Sequence, residues 1–138
     1  MSNSKESINK TESEKEKWNG RKQEFDNGNL VYDGEFLNGK RNGKGKEFEN
    51  NILKYDGEFI DGERNGKGKE FEYGMLIYEG NFLNGKRNGK GREFENGVLI
   101  YDGNFLNGKR YIVKITNSQI YEEFAKKIIQ KYIKNTIL

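Results

Sequence analysis

Apolar and polar residues alternate in a short segment that recurs along the chain. In the stretch YDGEF, Tyr32, Gly34 and Phe36 take alternate positions, and this period of two residues is typical of a half-buried β-strand. The segment returns with small changes at Tyr55, Tyr78 and Tyr101, a spacing of 23 residues. A fixed spacing of this length indicates stacked repeats, each formed by one supersecondary element.

Each repeat has a second apolar position, which predicts a second strand. It lies in the segment KEFE or REFE, at Phe48, Phe71 and Phe94. Glycine is too frequent for a helix, because each interior glycine costs a helix about 1 kcal/mol relative to alanine. The pattern therefore predicts a mainly β protein, an elongated and twisted antiparallel meander of β-hairpins.

Two kinds of connection join these strands. Asn-Gly at 27–28 and 96–97, with Asn-Asn at 50–51 and Tyr-Gly at 73–74 in the same place, predicts two-residue type I′ hairpins, in which both central residues need positive φ. The other connection, NGKRN or DGERN, predicts a loop of four to five residues.

A two-residue turn at 50–51 fixes the pairing of the strands around it. Phe48 then lies opposite Leu53 and Lys46 lies opposite Tyr55, so Phe48 and Leu53 share the buried face with Tyr55. This register turns Gly43 and Gly45 outward, and a solvent-facing position does not require a residue without a side chain. We therefore expect a β-bulge near Lys46 and Glu47 that turns both glycines inward, so that an aromatic ring lies on bare backbone.

The buried face is predicted to hold one column each of tyrosine, glycine and phenylalanine. Its residues are Tyr32, Gly34, Phe36, Tyr55, Gly57, Phe59, Tyr78, Gly80, Phe82, Tyr101, Gly103 and Phe105. Only if the C-terminal helix described below left this face uncovered would we expect a large exposed aromatic patch and hence a binding groove.

The repeat pattern changes after Arg110, where YIVKI replaces the expected glycines and predicts a terminal strand. The segment 116–138 follows, with apolar residues at helical spacing and a capping box formed by Thr116 and Gln119. We predict an amphipathic helix there. Three roles are open to it: a cap on the aromatic face, a basic segment that docks on a membrane or a partner, or pairing with a second copy.

These features divide the chain into three parts. Residues 1–16 are polar and predicted to be disordered. The repeat array spans 17–115, with a half repeat at 18–31, full repeats at 32–54, 55–77 and 78–100, and a terminal unit at 101–115. The helix occupies 116–138.

Composition argues against most enzymatic chemistry. The 138 residues include no Cys and no His, which excludes disulfides and thiolate metal sites and removes the usual general base. The carboxylates recur with the repeat, so none forms a distinct pair. We expect no catalysis, no cofactor and no metal site, and the lack of an apolar run typical of a signal peptide or membrane span indicates a cytoplasmic protein.

Basic residues recur near one end of the hairpins and form the candidate binding surface for lipid headgroups or an acidic partner. They are Arg41, Lys44, Arg64, Lys67, Arg87, Lys90 and Arg110. The opposing interpretation is a solvated edge neutralised by Asp33, Asp56, Asp102 and their neighbours. Under either interpretation, we expect replacement of Arg41, Arg64 and Arg87 by glutamine to leave folding nearly unchanged. Residues 32–110 carry equal numbers of basic and acidic groups, which argues against nucleic-acid binding.

The stretch YDGEFLNGKRNGKGKEFENN resembles the MORN repeat (membrane occupation and recognition nexus). Three full units begin at Tyr32, Tyr55 and Tyr78, with half units at 20–31 and 101–110. The resemblance implies a non-catalytic accessory module, as in membrane-junction proteins, lipid kinases, a histone methyltransferase and protist cytoskeletal proteins. The chain departs from the family pattern at Glu47, Glu70 and Glu93, where an aromatic residue is common.

Together these observations predict a scaffold that binds a protein partner. The alternative is a peripheral binder of anionic membranes that uses the Arg/Lys series and the basic helix, and a homodimer is a further form of partnership.

Overall fold

The computed structural model describes residues 18–112 and 116–136, together with residues 11 and 14. The predicted disordered segment 1–16 thus lies outside the described residues, apart from those two. Within the described ranges, nine antiparallel strands follow one another in an open sheet, in chain order, and one helix follows the last strand. This confirms the predicted meander with a C-terminal helix.

The strands and the helix are bounded as follows: β1 Gly20–Asp26, β2 Asn29–Leu37, β3 Lys40–Glu49, β4 Ile52–Ile60, β5 Glu63–Glu72, β6 Met75–Leu83, β7 Lys86–Glu95, β8 Val98–Leu106, β9 Lys109–Tyr111 and α1 Asn117–Thr136. Extensive contacts among these elements join only strands that are neighbours in sequence. The array is therefore a single layer whose stability is the sum of contacts between adjacent strands.

All the connections between these strands are two-residue turns. The predicted type I′ hairpins have positive φ at both central residues, for example 47° at Asn27 and 80° at Gly28. The predicted four- to five-residue loop is wrong, because Asn38 and Gly39 also have φ of 50° and 77° and form a tight turn alone. The residues that follow Gly39 open strand β3.

A bulge sets the register of each repeat, as predicted. Because of this bulge, the residue opposite Tyr55 differs from the one that the regular two-residue turn predicted. Phe48 lies opposite Leu53, and the next pair is Glu47 with Tyr55, so Lys54 is the extra residue on β4. Glu47, rather than Lys46, therefore lies opposite Tyr55. The prediction that Phe48 and Leu53 share the core with Tyr55 is wrong, since both are half-buried and lie outside the core cluster.

The bulge aligns glycines from seven strands in one continuous row. Each glycine lies opposite the next across the sheet, in the order Gly34, Gly45, Gly57, Gly68, Gly80, Gly91 and Gly103. A stripe of bare backbone thus crosses β2 to β8.

The tyrosine rings lie on this stripe. A Cβ atom built on Gly68 would overlap the ring of Tyr55, and one on Gly57 would meet the Tyr55 hydroxyl and the backbone of Gly68. The Tyr55 ring is flanked by Phe59 and Phe82, with centroids 5.2 and 5.0 Å away in edge-to-face geometry. Such pairs contribute about 0.5–1.5 kcal/mol each beyond the area that they bury.

The same arrangement makes the core. Tyr32, Tyr55 and Tyr78 are 0% exposed, and the phenylalanines between them are nearly as buried. Trp18 closes the array at its first repeat, because it packs edge-to-face on Phe36 with centroids 4.9 Å apart. Tyr101 at the other end is half-buried. The aromatic columns lie in the core, except for the half-buried Tyr101, and they form no exposed groove.

Gly43 differs from Gly45, although both were predicted to face the core. Gly45 is buried against the Tyr32 ring, as predicted. Gly43 has a φ of +81°, and a Cβ there would overlap the carboxylate of Glu35 instead of a ring. The inward prediction is thus right for Gly45 and wrong for Gly43.

Helix α1 begins at the predicted capping box. The Thr116 backbone N–H donates to Gln119 Oε1 at 2.9 Å, and the Gln119 N–H donates to Thr116 Oγ1 at 3.4 Å. The apolar side chains of α1, from Ile120 to Ile133, are 46–75% exposed. The predicted role of α1 as a cap on the aromatic face is therefore wrong.

We expect Gly68→Ala to destabilise the protein by about 1–3 kcal/mol, because the new methyl group would overlap the Tyr55 ring in a packed core. Gly62→Asn is the matched control. Gly62 has open space and a φ of +88°, which asparagine adopts at other turns of this chain, so its effect stays within about 0.5 kcal/mol. Urea unfolding measures the free energy of unfolding of both variants. An equal loss of stability in the two would contradict the packing of the Tyr55 ring on Gly68.

Candidate functional site

The predicted binding arginines lie on the aromatic face, and each of them except the last, Arg110, lies between two glutamates. Arg64 Nη2 is 2.6 Å from Glu47 Oε2, and Arg64 Nη1 is 2.8 Å from Glu70 Oε1. The guanidinium carbon of Arg64 lies 4.5 Å from the centroid of the Tyr55 ring. The arginine thus covers the side of the tyrosine ring that the glycine stripe leaves open.

This arrangement repeats along the array, and we call it the Arg/Glu ladder. Its members in spatial order are Glu24, Arg41, Glu47, Arg64, Glu70, Arg87, Glu93 and Arg110. The ladder is neutral, and the side chains of Arg41, Arg64 and Arg87 are only 17–23% exposed. Cation–π contact and paired hydrogen bonds both stabilise a guanidinium held in this way.

The ladder explains the departure from the repeat pattern at Glu47, Glu70 and Glu93. In the predicted solvated edge, aspartates neutralise the basic residues near the hairpin ends. In the structure, Asp33 instead pairs with Arg21 at 2.8 Å and Asp56 pairs with Lys46 at 3.4 Å. The glutamates recur with the arginines at the same spacing. That shared period is the signal that would have identified them.

The predicted lysines lie apart from the arginines. Lys44, Lys67 and Lys90 directly precede the inward-facing Gly45, Gly68 and Gly91, so alternation places them on the opposite side of the sheet, here called the outer face. All three are exposed, and none forms an ion pair with another described residue. The structure thus divides the seven predicted cations into four ladder arginines and three exposed lysines.

A shallow groove of about 600 Å³ crosses the outer face above the glycine stripe. Its charged lining consists of Lys67, Lys69, Lys90 and Arg92 with Asp56, Glu79 and Asp102. Arg92 is paired with Glu79 at 2.5 Å. The groove therefore offers lysine ammonium groups above a floor of backbone.

The buried tyrosines are held in their neutral form. The Tyr78 hydroxyl donates to the backbone carbonyl of Asn81 at 2.9 Å, and Tyr32 and Tyr55 make the equivalent bonds to Glu35 and Glu58. Burial raises the pKa of Tyr32 and of Tyr78 to about 12, against the opposing effect of the arginine above each ring, and it raises the pKa of Tyr55 as well. These hydroxyls serve as hydrogen-bond donors.

In the described ranges, 18–112 and 116–136 with residues 11 and 14, no group of three or more His, Cys, Asp or Glu side chains is arranged to hold a metal ion. No helix in that part of the chain is long and apolar enough to span a membrane.

In a comparison with known families, the MORN-repeat profile matches residues 32–51, 55–71, 78–98 and 101–110. These are the repeats that carry the tyrosines and glycines described above. A search of curated proteins found no significant match to the chain.

The structure revises the expectation that the arginines matter little for folding. We expect Arg64→Gln to lower the free energy of unfolding by about 1–3 kcal/mol, because it uncovers Tyr55 and leaves Glu47 and Glu70 without their shared cation. Lys67→Gln removes an exposed and unpaired charge and should change the stability by less than about 0.5 kcal/mol. Chemical denaturation compares the two variants, and an Arg64→Gln variant as stable as Lys67→Gln would rule out a structural ladder.

Stability should also fall at high pH. The pKa of Tyr78 is about 12 in the folded protein and about 10 in an unfolded chain, so folding favours the neutral phenol. The stabilising contribution is complete below pH 10 and is lost as the pH rises from about 10 through 12. Unfolding free energies measured across this range should decline, and Tyr78→Phe should make the decline shallower. An identical slope in Tyr78→Phe would mean that this phenol does not contribute.

Proposed function

The chain belongs to the MORN-repeat family, and we propose that it is a non-enzymatic scaffold that holds a protein partner through the apolar side of α1. The observation that carries the proposal is the exposure of that side. Large apolar residues at helical spacing are uncovered, among them Ile120 at 46%, Phe124 at 65% and Ile128 at 57%. A contiguous exposed apolar surface of this kind is typical of an interaction site.

The spacing of these residues favours one mode of recognition. Ile120, Phe124 and Ile128 follow one another at intervals of four residues along α1, so they line one side of the helix. Amphipathic helices with such anchors dock into hydrophobic grooves of partner proteins. We therefore take a groove-bearing protein as the partner of α1.

The repeat array supports the same proposal because it supplies rigidity. Its rings are packed on backbone, its arginines are held by glutamates, and its buried tyrosines are neutral. These groups are engaged in holding the sheet together, which suits a support and leaves them unsuited to acid–base catalysis.

The anionic-membrane alternative depends on the lysines of α1. Lys126, Lys127, Lys131 and Lys134 outnumber Glu122 and Glu123, and a basic amphipathic helix can lie in a membrane interface. The engagement of Arg41, Arg64 and Arg87 weakens the other half of that alternative, because these three of the seven predicted cations are held between glutamates.

We expect Phe124→Asp to abolish capture of a protein partner from cell extract by the immobilised chain. Gln130→Asp introduces the same charge at a polar position of α1 and should leave capture unchanged. Vesicle co-sedimentation with and without phosphatidylserine, together with light scattering, completes the comparison.

Three outcomes would overturn the proposal. Phe124-dependent binding to phosphatidylserine vesicles that fades with added salt would identify α1 as a membrane anchor. A doubled molecular mass that Phe124→Asp abolishes would identify a homodimer. Equal capture by both variants would show that the apolar side of α1 does not hold the partner.

A further inference from the structure

The strand pairs β2–β3, β4–β5 and β6–β7 contain a second irregularity, directly beside the glycine stripe. Between the pairs Gly34–Gly45 and Phe36–Arg41, β2 contributes one residue and β3 contributes three. The three are Asn42, Gly43 and Lys44, and the two extra residues make a bulge in the ladder. This bulge leaves a backbone amide to be satisfied by something other than the neighbouring strand.

In the first repeat, a carboxylate from the chain itself takes that place. Glu35 Oε2 accepts a hydrogen bond from the Lys44 backbone N–H at 2.6 Å. Gly43, the residue before Lys44, has a φ of +81°, and a Cβ on Gly43 would overlap the Glu35 carboxylate. We call this amide and the glycine before it the carboxylate cradle, because successive backbone amides around a residue with positive φ form an anion-binding concavity.

The second repeat has the same filled cradle. Glu58 Oε2 accepts from the Lys67 backbone N–H at 2.6 Å, and Gly66 has a φ of +90°. Two independent copies of the bulge thus hold a glutamate side chain with the same geometry. The chain itself therefore shows which ligand the cradle accepts.

The third repeat keeps the cradle and lacks the carboxylate. Its register is the same, since Gly80 pairs with Gly91 and Phe82 pairs with Arg87, and Gly89 has a φ of +83°. Asn81 stands where Glu35 and Glu58 stand in the earlier repeats. The Asn81 side chain forms no hydrogen bond with another described residue, and it would approach a Cβ on Gly89 only to 3.6 Å.

The neighbours of Asn81 in its row across the sheet are lysines, and neither is a carboxylate. Asn81 lies opposite Lys67 on one side and precedes the β6–β7 turn that leads to Lys90 on the other. Lys67 and Lys90 form no ion pair within the described ranges. Asn104, opposite Lys90, is also uncharged, so no carboxylate replaces the one that Asn81 lacks in this row. Lys67, Asn81 and Lys90 line the outer-face groove.

We propose that the third cradle, formed by the Lys90 backbone amide with the Lys67 and Lys90 ammonium groups, binds a glutamate side chain of an acidic segment in a partner protein. The incoming carboxylate takes the position that Glu35 and Glu58 fill in the first two repeats. The inference rests on the proposed scaffold function, because the carboxylate must come from another polypeptide. It concerns the outer face of the sheet and is independent of α1.

The test follows backbone amides of the intact, isotopically labelled protein by NMR during titration with a short glutamate-rich peptide at low salt. We expect the Lys90 amide to shift downfield and saturate, while the Lys44 and Lys67 amides, already bonded to Glu35 and Glu58, stay in place. A glutamine-rich peptide of the same length should have no effect.

Two substitutions exchange the filled and open cradles. Asn81→Glu should fill the third cradle with a carboxylate of the chain itself, as Glu35 and Glu58 fill the first two. It should weaken peptide binding by about tenfold or more. Glu58→Asn should open the second cradle, so that the Lys67 amide begins to respond. Gln130→Glu on α1 changes the net charge as Asn81→Glu does and should leave binding unchanged.

Several results would overturn the inference. One is a Lys90 amide signal that does not shift when the glutamate-rich peptide is added. Another is a peptide affinity that is unchanged in Asn81→Glu, and a third is a peptide affinity that falls as much in Gln130→Glu as in Asn81→Glu. Inorganic phosphate is titrated in parallel, and a Lys90 shift with phosphate but not with the peptide would assign the site to phosphate instead. Capture through α1 should be the same in Asn81→Glu and in the unchanged protein, so failure of the cradle and failure of the scaffold function are distinguishable.

Discussion

The tyrosine ring that lies flat on two glycines is the contact on which the rest of this structure depends. A single-layer sheet has no second layer to bury its apolar face, yet Tyr55 is 0% exposed. Gly57 and Gly68 form the floor under the ring, Phe59 and Phe82 form its walls, and Arg64 closes the top. Each repeat thus completes its core with the help of its neighbour alone, as a quasi-one-dimensional array requires.

This contact also decides where the charges lie. The arginine that covers a ring needs a partner on the aromatic face, and the bulge supplies one by placing Glu47 opposite Tyr55. The ladder is therefore a consequence of covering the rings. The lysines that alternate with the glycines, Lys44, Lys67 and Lys90, are left exposed on the other face. The thickness of one sheet therefore separates them from the well-covered arginines Arg41, Arg64 and Arg87.

The sequence was sufficient for the features that depend on local chemistry. Alternation in YDGEF, the spacing of 23 residues, Asn-Gly turns and the Thr116–Gln119 capping box all report on neighbouring residues, and all are confirmed. The errors concern contacts across strands. Whether Lys46 or Glu47 faces Tyr55 depends on one extra residue in β4, and an alternating pattern does not mark it. The cap prediction failed because it assumed that an aromatic face needs a second layer.

Near-identical repeats make single differences informative. The ring, the glycine stripe and the turn conformations are conserved from one repeat of this chain to the next, because each copy must solve the same packing problem. The position directly after the glycine of each Tyr-x-Gly segment is under no such constraint. Glu35 and Glu58 occupy it in the first two repeats and close their cradles, whereas the uncharged Asn81 and Asn104 occupy it in the later ones. A fold that needs the same backbone in every repeat tolerates this change only because the outer face is outside the core. The differences between repeats, rather than the features they share, therefore make the two ends of the array chemically distinct.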